Sequence, residues 1–120
     1  MSPERKTELS RLLSFETKVE AVRNKIDSSL QWLEKKARLY QLPIPKEEFA
    51  LDRTGYQKWS TIQKGLSLFF YHIKPRAEKA GLDPDYLLFL EAALLAFNFK
   101  SCDMLLKEIE ENTPDWDKYL

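Results

Sequence analysis

Tyr86-Leu87-Leu88-Phe89-Leu90-Glu91-Ala92-Ala93-Leu94-Leu95-Ala96-Phe97-Asn98-Phe99 holds only two polar residues, Glu91 and Asn98. Alanine and leucine dominate it, which favours helix over strand. Asp83-Pro84 stands directly before it, a good N-cap followed by proline at the first helical position. At fourteen residues it is shorter than the roughly 18 apolar residues of a membrane span. A helix apolar nearly all round has to be covered on most sides. The stretch therefore reads as the central helix of a helical bundle.

Turning 100° per residue, Glu91 and Asn98 fall about 20° apart on one side of that helix. Leu87 and Leu94 lie along one edge of this line and Leu88 and Leu95 along the other, while Phe89, Ala93 and Ala96 lie opposite and are expected to face the core. Two readings follow. Leu87, Leu88, Glu91, Leu94 and Leu95 form a partner or self-association surface, or the first helix of the chain covers them.

The rest of the chain supports an all-α fold. Its 120 residues suit one domain, 1–120, and 43% hydrophobic with 32% charged residues permit a packed core. Three glycines are too few for an all-β chain with its many turns. Nineteen basic and nineteen acidic residues cancel, which removes a global basic field for nucleic acid. The balance is uneven along the chain: residues 1–80 carry 16 Lys/Arg against 10 Asp/Glu (net +6), and residues 81–120 carry 3 against 9 (net −6). Either the two segments fold against each other or a basic surface meets an acidic partner. One cysteine, Cys102, allows no intrachain disulfide and points to an intracellular, cytoplasmic setting. Residues 1–20 lack the apolar core of a secretory signal, and the final Asp-Lys-Tyr-Leu matches no lipidation or retention signal.

Residues 4 to about 39 read as one long amphipathic helix. Leu12, Phe15, Val19, Val22, Ile26, Leu30, Leu33 and Ala37 form a heptad-like stripe with a four-residue stutter near Ser29. Arg11, Lys18 and Lys25 repeat every seven residues beside it, as a solvated flank or as partners for acids on a neighbouring helix. Pro43 and Pro45 open a linker spanning about 40–54, in which Leu42 and Ile44 are expected to pack down and Phe49 to anchor a short turn.

A second helix is expected over about 55–73, with Tyr56, Trp59, Ile62, Leu66, Phe69, Phe70 and Ile73 facing the core. Pro75 then either kinks it or starts a short helix that ends at Gly81. After the central helix, Ser101 is expected to cap a last helix, Cys102 to Glu111, with Cys102, Met104, Leu105 and Ile109 inward and Asn112 as its stop.

Pro84-Asp85-Tyr86 with Phe89-Leu90 and Pro114-Asp115-Trp116 with Tyr119-Leu120 repeat at an offset of 30 residues. Pro-Asp-aromatic is also ordinary helix-start chemistry, used here twice. Residues 86–114 resemble one tetratricopeptide-type helical hairpin. Tyr86, Phe89 and Ala93 match on the first helix, Cys102 takes the small-residue position of the second, Leu106 and Ile109 its apolar positions, and Pro114 the closing proline. Leu90 departs from the family, which favours a small residue there. The resemblance implies protein or peptide binding rather than catalysis.

Catalytic signals are sparse. His72, the one histidine, lies among Phe69, Phe70, Tyr71 and Ile73, as packed histidines do. Together with Cys102 it offers too few ligands for a four-coordinate zinc site. A Cys102 nucleophile with His72 as base is chemically conceivable, but Cys102 sits where a helix face wants a small apolar residue. No glycine-rich phosphate loop occurs. No catalytic residue, metal or cofactor is therefore assigned.

From Arg53 to Lys79 six basic residues (Arg53, Lys58, Lys64, Lys74, Arg76, Lys79) meet one acid, Glu78, with Tyr56, Trp59 and Tyr71 interleaved. Such a set can serve phosphate contacts and base stacking. The chain thus reads as a four- to five-helix bundle with a long N-terminal amphipathic helix and a C-terminal helical hairpin. Its expected role is a non-catalytic interaction module, an adaptor or small subunit of an intracellular assembly, with another protein or a second copy as partner and neither membrane nor metal. A nucleic-acid-associated protein using residues 53–79, lining an RNA or DNA path, is the alternative.

Overall fold

A computed structural model describes residues 3–113, with side chains described from Glu20 onward. Among the described residues it has no strand. The described residues form four helices: α1 (Pro3–Leu39), α2 (Gly55–Lys79), α3 (Pro84–Leu95) and α4 (Phe99–Glu111), with a 3-10 turn at Lys46–Phe49 in the first linker. Helix α2 packs against α1 and α3, and α3 packs against α4, to which a short turn joins it. The Pro114-Asp115-Trp116 repeat and the closing Pro114 lie outside the described residues, as do the side chains of Arg11, Leu12, Phe15, Lys18 and Val19.

Among the described residues, the stripe on α1 passes from exposed to buried along the helix. Val22 is 57% exposed and Ile26 half-buried, whereas Leu30, Leu33 and Ala37 are core. Ser29 is fully buried at the stutter, and its Oγ donates to the Lys25 carbonyl at 2.5 Å. That bond satisfies the hydroxyl inside its own helix.

Helices α1, α2 and α3 end alike. Gln41, Gly81 and Phe97 take left-handed backbone (φ 55°, 75° and 54°), and the next N–H reaches back five residues: Leu42 to the Ala37 carbonyl, Leu82 to Ala77, Asn98 to Ala93. This closure satisfies carbonyls that a helix end leaves open. Leu42 and Phe49 are buried and Ile44 is half-buried, so the proline linker is held down as expected.

Thr54 caps α2 through a capping box with Gln57. The helix runs through Pro75 to Lys79. Proline removes one N–H and loosens the preceding turn. There the Arg76 Nη1 donates to the His72 carbonyl at 2.6 Å. Ile62, Leu66, Phe69, Phe70 and Ile73 are buried as their spacing predicts, but Tyr56, in the first turn, is 84% exposed. Gly65 sits where a Cβ would collide with Leu33, so the absence of a side chain allows α1 to seat closely on α2.

The fourteen-residue apolar run is not one helix. Helix α3 stops at Leu95, Phe97 turns the chain, and the Asn98 side chain accepts from the Ser101 N–H at 3.2 Å to cap α4. Asn98, not Ser101, is therefore the cap. Cys102, Leu106 and Ile109 face the core at one-turn and two-turn spacing, while Met104 is 61% exposed. Asn112 ends α4 with its side-chain amide on the Glu108 carbonyl.

Candidate interaction surface on helix α3

Asp83 accepts from the Asp85 N–H and Pro84 fills the first turn, so α3 begins where its sequence directs. Its orientation is opposite to the expected one. Leu87, Leu90 and Leu94 are buried against α2 and α4. Phe89 and Ala96, expected inward, are exposed, and Ala93 is half-buried. Leu87 and Leu94 therefore belong to the core and leave the expected surface set, whereas Leu88, Glu91 and Leu95 remain on the surface. The cause lies in the composition of the helix. With only Asp85 and Glu91 charged among its twelve residues, α3 has no continuous polar face to set its direction, and the better fit of three leucines between α2 and α4 decides it.

The outward side of α3 consists of Leu88, Phe89, Ala92, Leu95 and Ala96, an exposed arc of about 120°. A groove runs along each flank. Between α2 and α3 it has a volume of about 540 Å³ and is lined mainly by Trp59, Leu66, Phe70, Tyr71, Leu95 and Phe97. Between α3 and α4 it measures about 460 Å³ and is lined by Phe89, Ala92, Ala93, Ala96, Met104 and Leu105, with Asn98, Ser101 and the charged Glu108 also contributing. Glu91 is the one charge lining the first groove, and it makes no ion pair among the described residues.

Phe97 belongs to this surface and could not be assigned a role by spacing. Left-handed backbone costs a non-glycine residue about 1–2 kcal/mol. Its ring packs against Trp59 (centroids 5.3 Å apart) and Phe99 (6.2 Å), with the Lys25 Nζ 5.3 Å above it. Trp32 stacks on Phe99 at 4.6 Å and donates to Asp103 at 3.1 Å. These aromatic contacts offset the backbone cost and fix the corner between α3 and α4.

The six basic residues of 53–79 do not form one free patch. Arg53 donates to the Glu48 carbonyl (2.5 Å) and the Thr61 hydroxyl (2.9 Å), Lys58 pairs with Asp27 at 3.1 Å, and Arg76 is engaged with His72. Lys64, Lys74 and Lys79 are exposed, but they spread along about 22 Å of α2 and about 140° of its circumference. Trp59 is half-buried beside the α3 groove. Across the two oppositely charged segments, Lys36 meets Asp103 at 3.0 Å and the Tyr40 hydroxyl donates to Glu110 at 3.3 Å, joining α1 to α4.

Three enclosed groups, Cys102, Tyr40 and His72, are shifted toward their uncharged forms. Burial, helped by Asp103, pushes the Cys102 thiol up to about 12, so the thiolate needed for nucleophilic attack is scarce at neutral pH. Burial and the neighbouring Glu110 raise Tyr40 well above the usual phenol range. Burial, then the Arg76 charge, lowers His72, whose Nε2 is enclosed without a hydrogen-bond partner among the described residues. No group of three or more His, Cys, Asp or Glu that could hold a metal occurs among the described residues, and no described helix is long and apolar enough to cross a membrane.

No family model, curated protein or solved structure matches this chain.

Proposed function

We propose that the chain is a non-catalytic helical interaction module, an adaptor or small subunit of an intracellular assembly, and that it docks another polypeptide through the outward face of α3. One observation carries this: five consecutive outward positions of α3 are apolar and exposed, with an open groove on either side. Contiguous apolar surface on this scale marks interaction sites in water-exposed proteins. The face is depleted of charge, as the centres of protein interfaces are, and Glu91 lies at its edge.

A photo-cross-linking amino acid placed at Leu88 or Leu95 of the full chain, in its host cells, tests this. Discrete covalent adducts are expected at both positions and none at exposed Lys35 on α1. Equal labelling at all three positions would remove α3 as the docking face.

A further inference from the structure

The outward face of α3 has a symmetry of its own. About Ala92, Leu88-Phe89 stands four and three residues before, and Leu95-Ala96 three and four residues after. Leu88 and Leu95 lie on the α2 side of Ala92, and Phe89 and Ala96 on the α4 side. We infer that the occupant of this face is a second copy of the chain, its α3 crossing antiparallel with the two-fold axis at Ala92; this rests on α3 being the docking face.

A two-fold axis perpendicular to both helices keeps the α2 side on the α2 side and reverses the order along the helix. Leu88 then meets Leu95 of the second copy, and Phe89 meets Ala96, a large side chain against a small one. Ala92 meets Ala92, so the helix axes approach more closely than the usual 8–10 Å. The groove on the α2 side receives the leucines, and the shallower one on the α4 side receives Phe89. A parallel pairing does less well. It would crowd Leu88 and Phe89 of both copies at one end and leave a gap between Leu95 and Ala96 at the other.

The exposed apolar surface suits this arrangement. Leu88, Phe89, Leu95, Tyr71 and Met104 are 57–74% exposed. They offer several hundred square ångströms, the order of magnitude of the roughly 800 Å² per partner in a standard interface. No charge lies at the Ala92 contact itself; Glu91, on the α2 side, is brought near Glu91 of the second copy by the same axis, a like-charge cost that the apolar contacts have to exceed.

Sedimentation equilibrium on the full chain from about 1 μM to about 1 mM tests the pairing. A reversible monomer–dimer equilibrium is expected. Ala92→Glu should weaken it at least about 100-fold while keeping the helical circular dichroism spectrum, since Ala92 is exposed in the single chain. The register is read with a short bis-maleimide: Ala92→Cys should give a covalent dimer, and Gln31→Cys on the exposed side of α1 should not. A chain that stays monomeric at about 1 mM overturns the second-copy occupant without touching the docking face, which cross-linking to a different protein in cells would still support. A dimer that withstands Ala92→Glu, or that links equally through Gln31→Cys, overturns the placement on α3.

Discussion

Helices α3 and α4 are neighbours of almost equal length, twelve and thirteen residues, and they treat solvent in opposite ways. Helix α4 buries Cys102, Leu106 and Ile109 and presents Lys100, Asp103, Lys107, Glu108, Glu110 and Glu111 with one apolar residue, Met104. Helix α3 buries Leu87, Leu90 and Leu94 and presents Leu88, Phe89, Ala92 and Leu95, continued by its C-cap Ala96, beside two charges, Asp85 and Glu91. Each contributes three residues to the same core, so the inward halves are equivalent. The outward halves differ: α4 is charged apart from Met104, while α3 is mostly apolar. Three buried anchors are enough to hold a short helix. The remaining apolar positions on α3 add nothing to the fold of a single chain, which is why they point to a contact beyond it.

The sharpest way to break this comparison sets adjacent residues against each other. Leu94→Asp puts a carboxylate at a position 4% exposed and should cost more than about 4 kcal/mol, unfolding the chain in a thermal melt followed by circular dichroism. Leu95→Asp, at a position 74% exposed, should leave the chain folded. Equal melting of the two variants would mean that α3 is rotated from the orientation described. Next in size, Leu90→Ala and Ile109→Ala each empty a fully buried site and should each lose about 2–5 kcal/mol in urea unfolding at low protein concentration. A loss under about 1 kcal/mol at Leu90 alone would show that α3 is not anchored as α4 is.

The joint between the two helices gives a smaller effect. Asn98→Ala removes the cap of α4 and should cost about 1 kcal/mol, whereas Ser101→Ala should cost close to nothing because its N–H, not its hydroxyl, makes the capping bond. Reversal of that order would restore Ser101 as the cap. The smallest expected change is Leu88→Ser, within about 0.5 kcal/mol for the monomer, since the side chain is already 63% exposed. A larger loss would mean that Leu88 is covered within its own chain.

Much of the helical layout was legible beforehand, for a local reason. Asp83-Pro84, Gly81, Asn112 and the Pro43–Pro45 linker are punctuation that acts within a few residues, and each ended or began an element where it stood. In α2 a mixed sequence also located the core side: Ile62, Leu66, Phe69 and Ile73 alternate with polar positions at helical spacing, and all are buried. The corner at Phe97 carried no such signal. Left-handed backbone usually advertises itself as glycine, and here an aromatic residue adopts it because Trp59 and Phe99 lie beside its ring. Pro75 stood in an ambiguous position, and the helix continued past it.

Residue by residue, then, the amino-acid sequence by itself determined the all-α class, where α1, α2 and α3 begin, where α1 and α4 end, and which sides of α2 and of the later part of α1 turn inward. Those properties follow from backbone propensity, capping and periodicity, which need no distant partner. Only the tertiary structure decided which leucines of α3 are core and which are surface, and that Arg53, Lys58 and Arg76 are engaged inside the molecule rather than set out as a basic patch. A helix apolar on every side is equally willing to bury any of them, and a cation finds its partner through space, so both outcomes depend on what packs alongside.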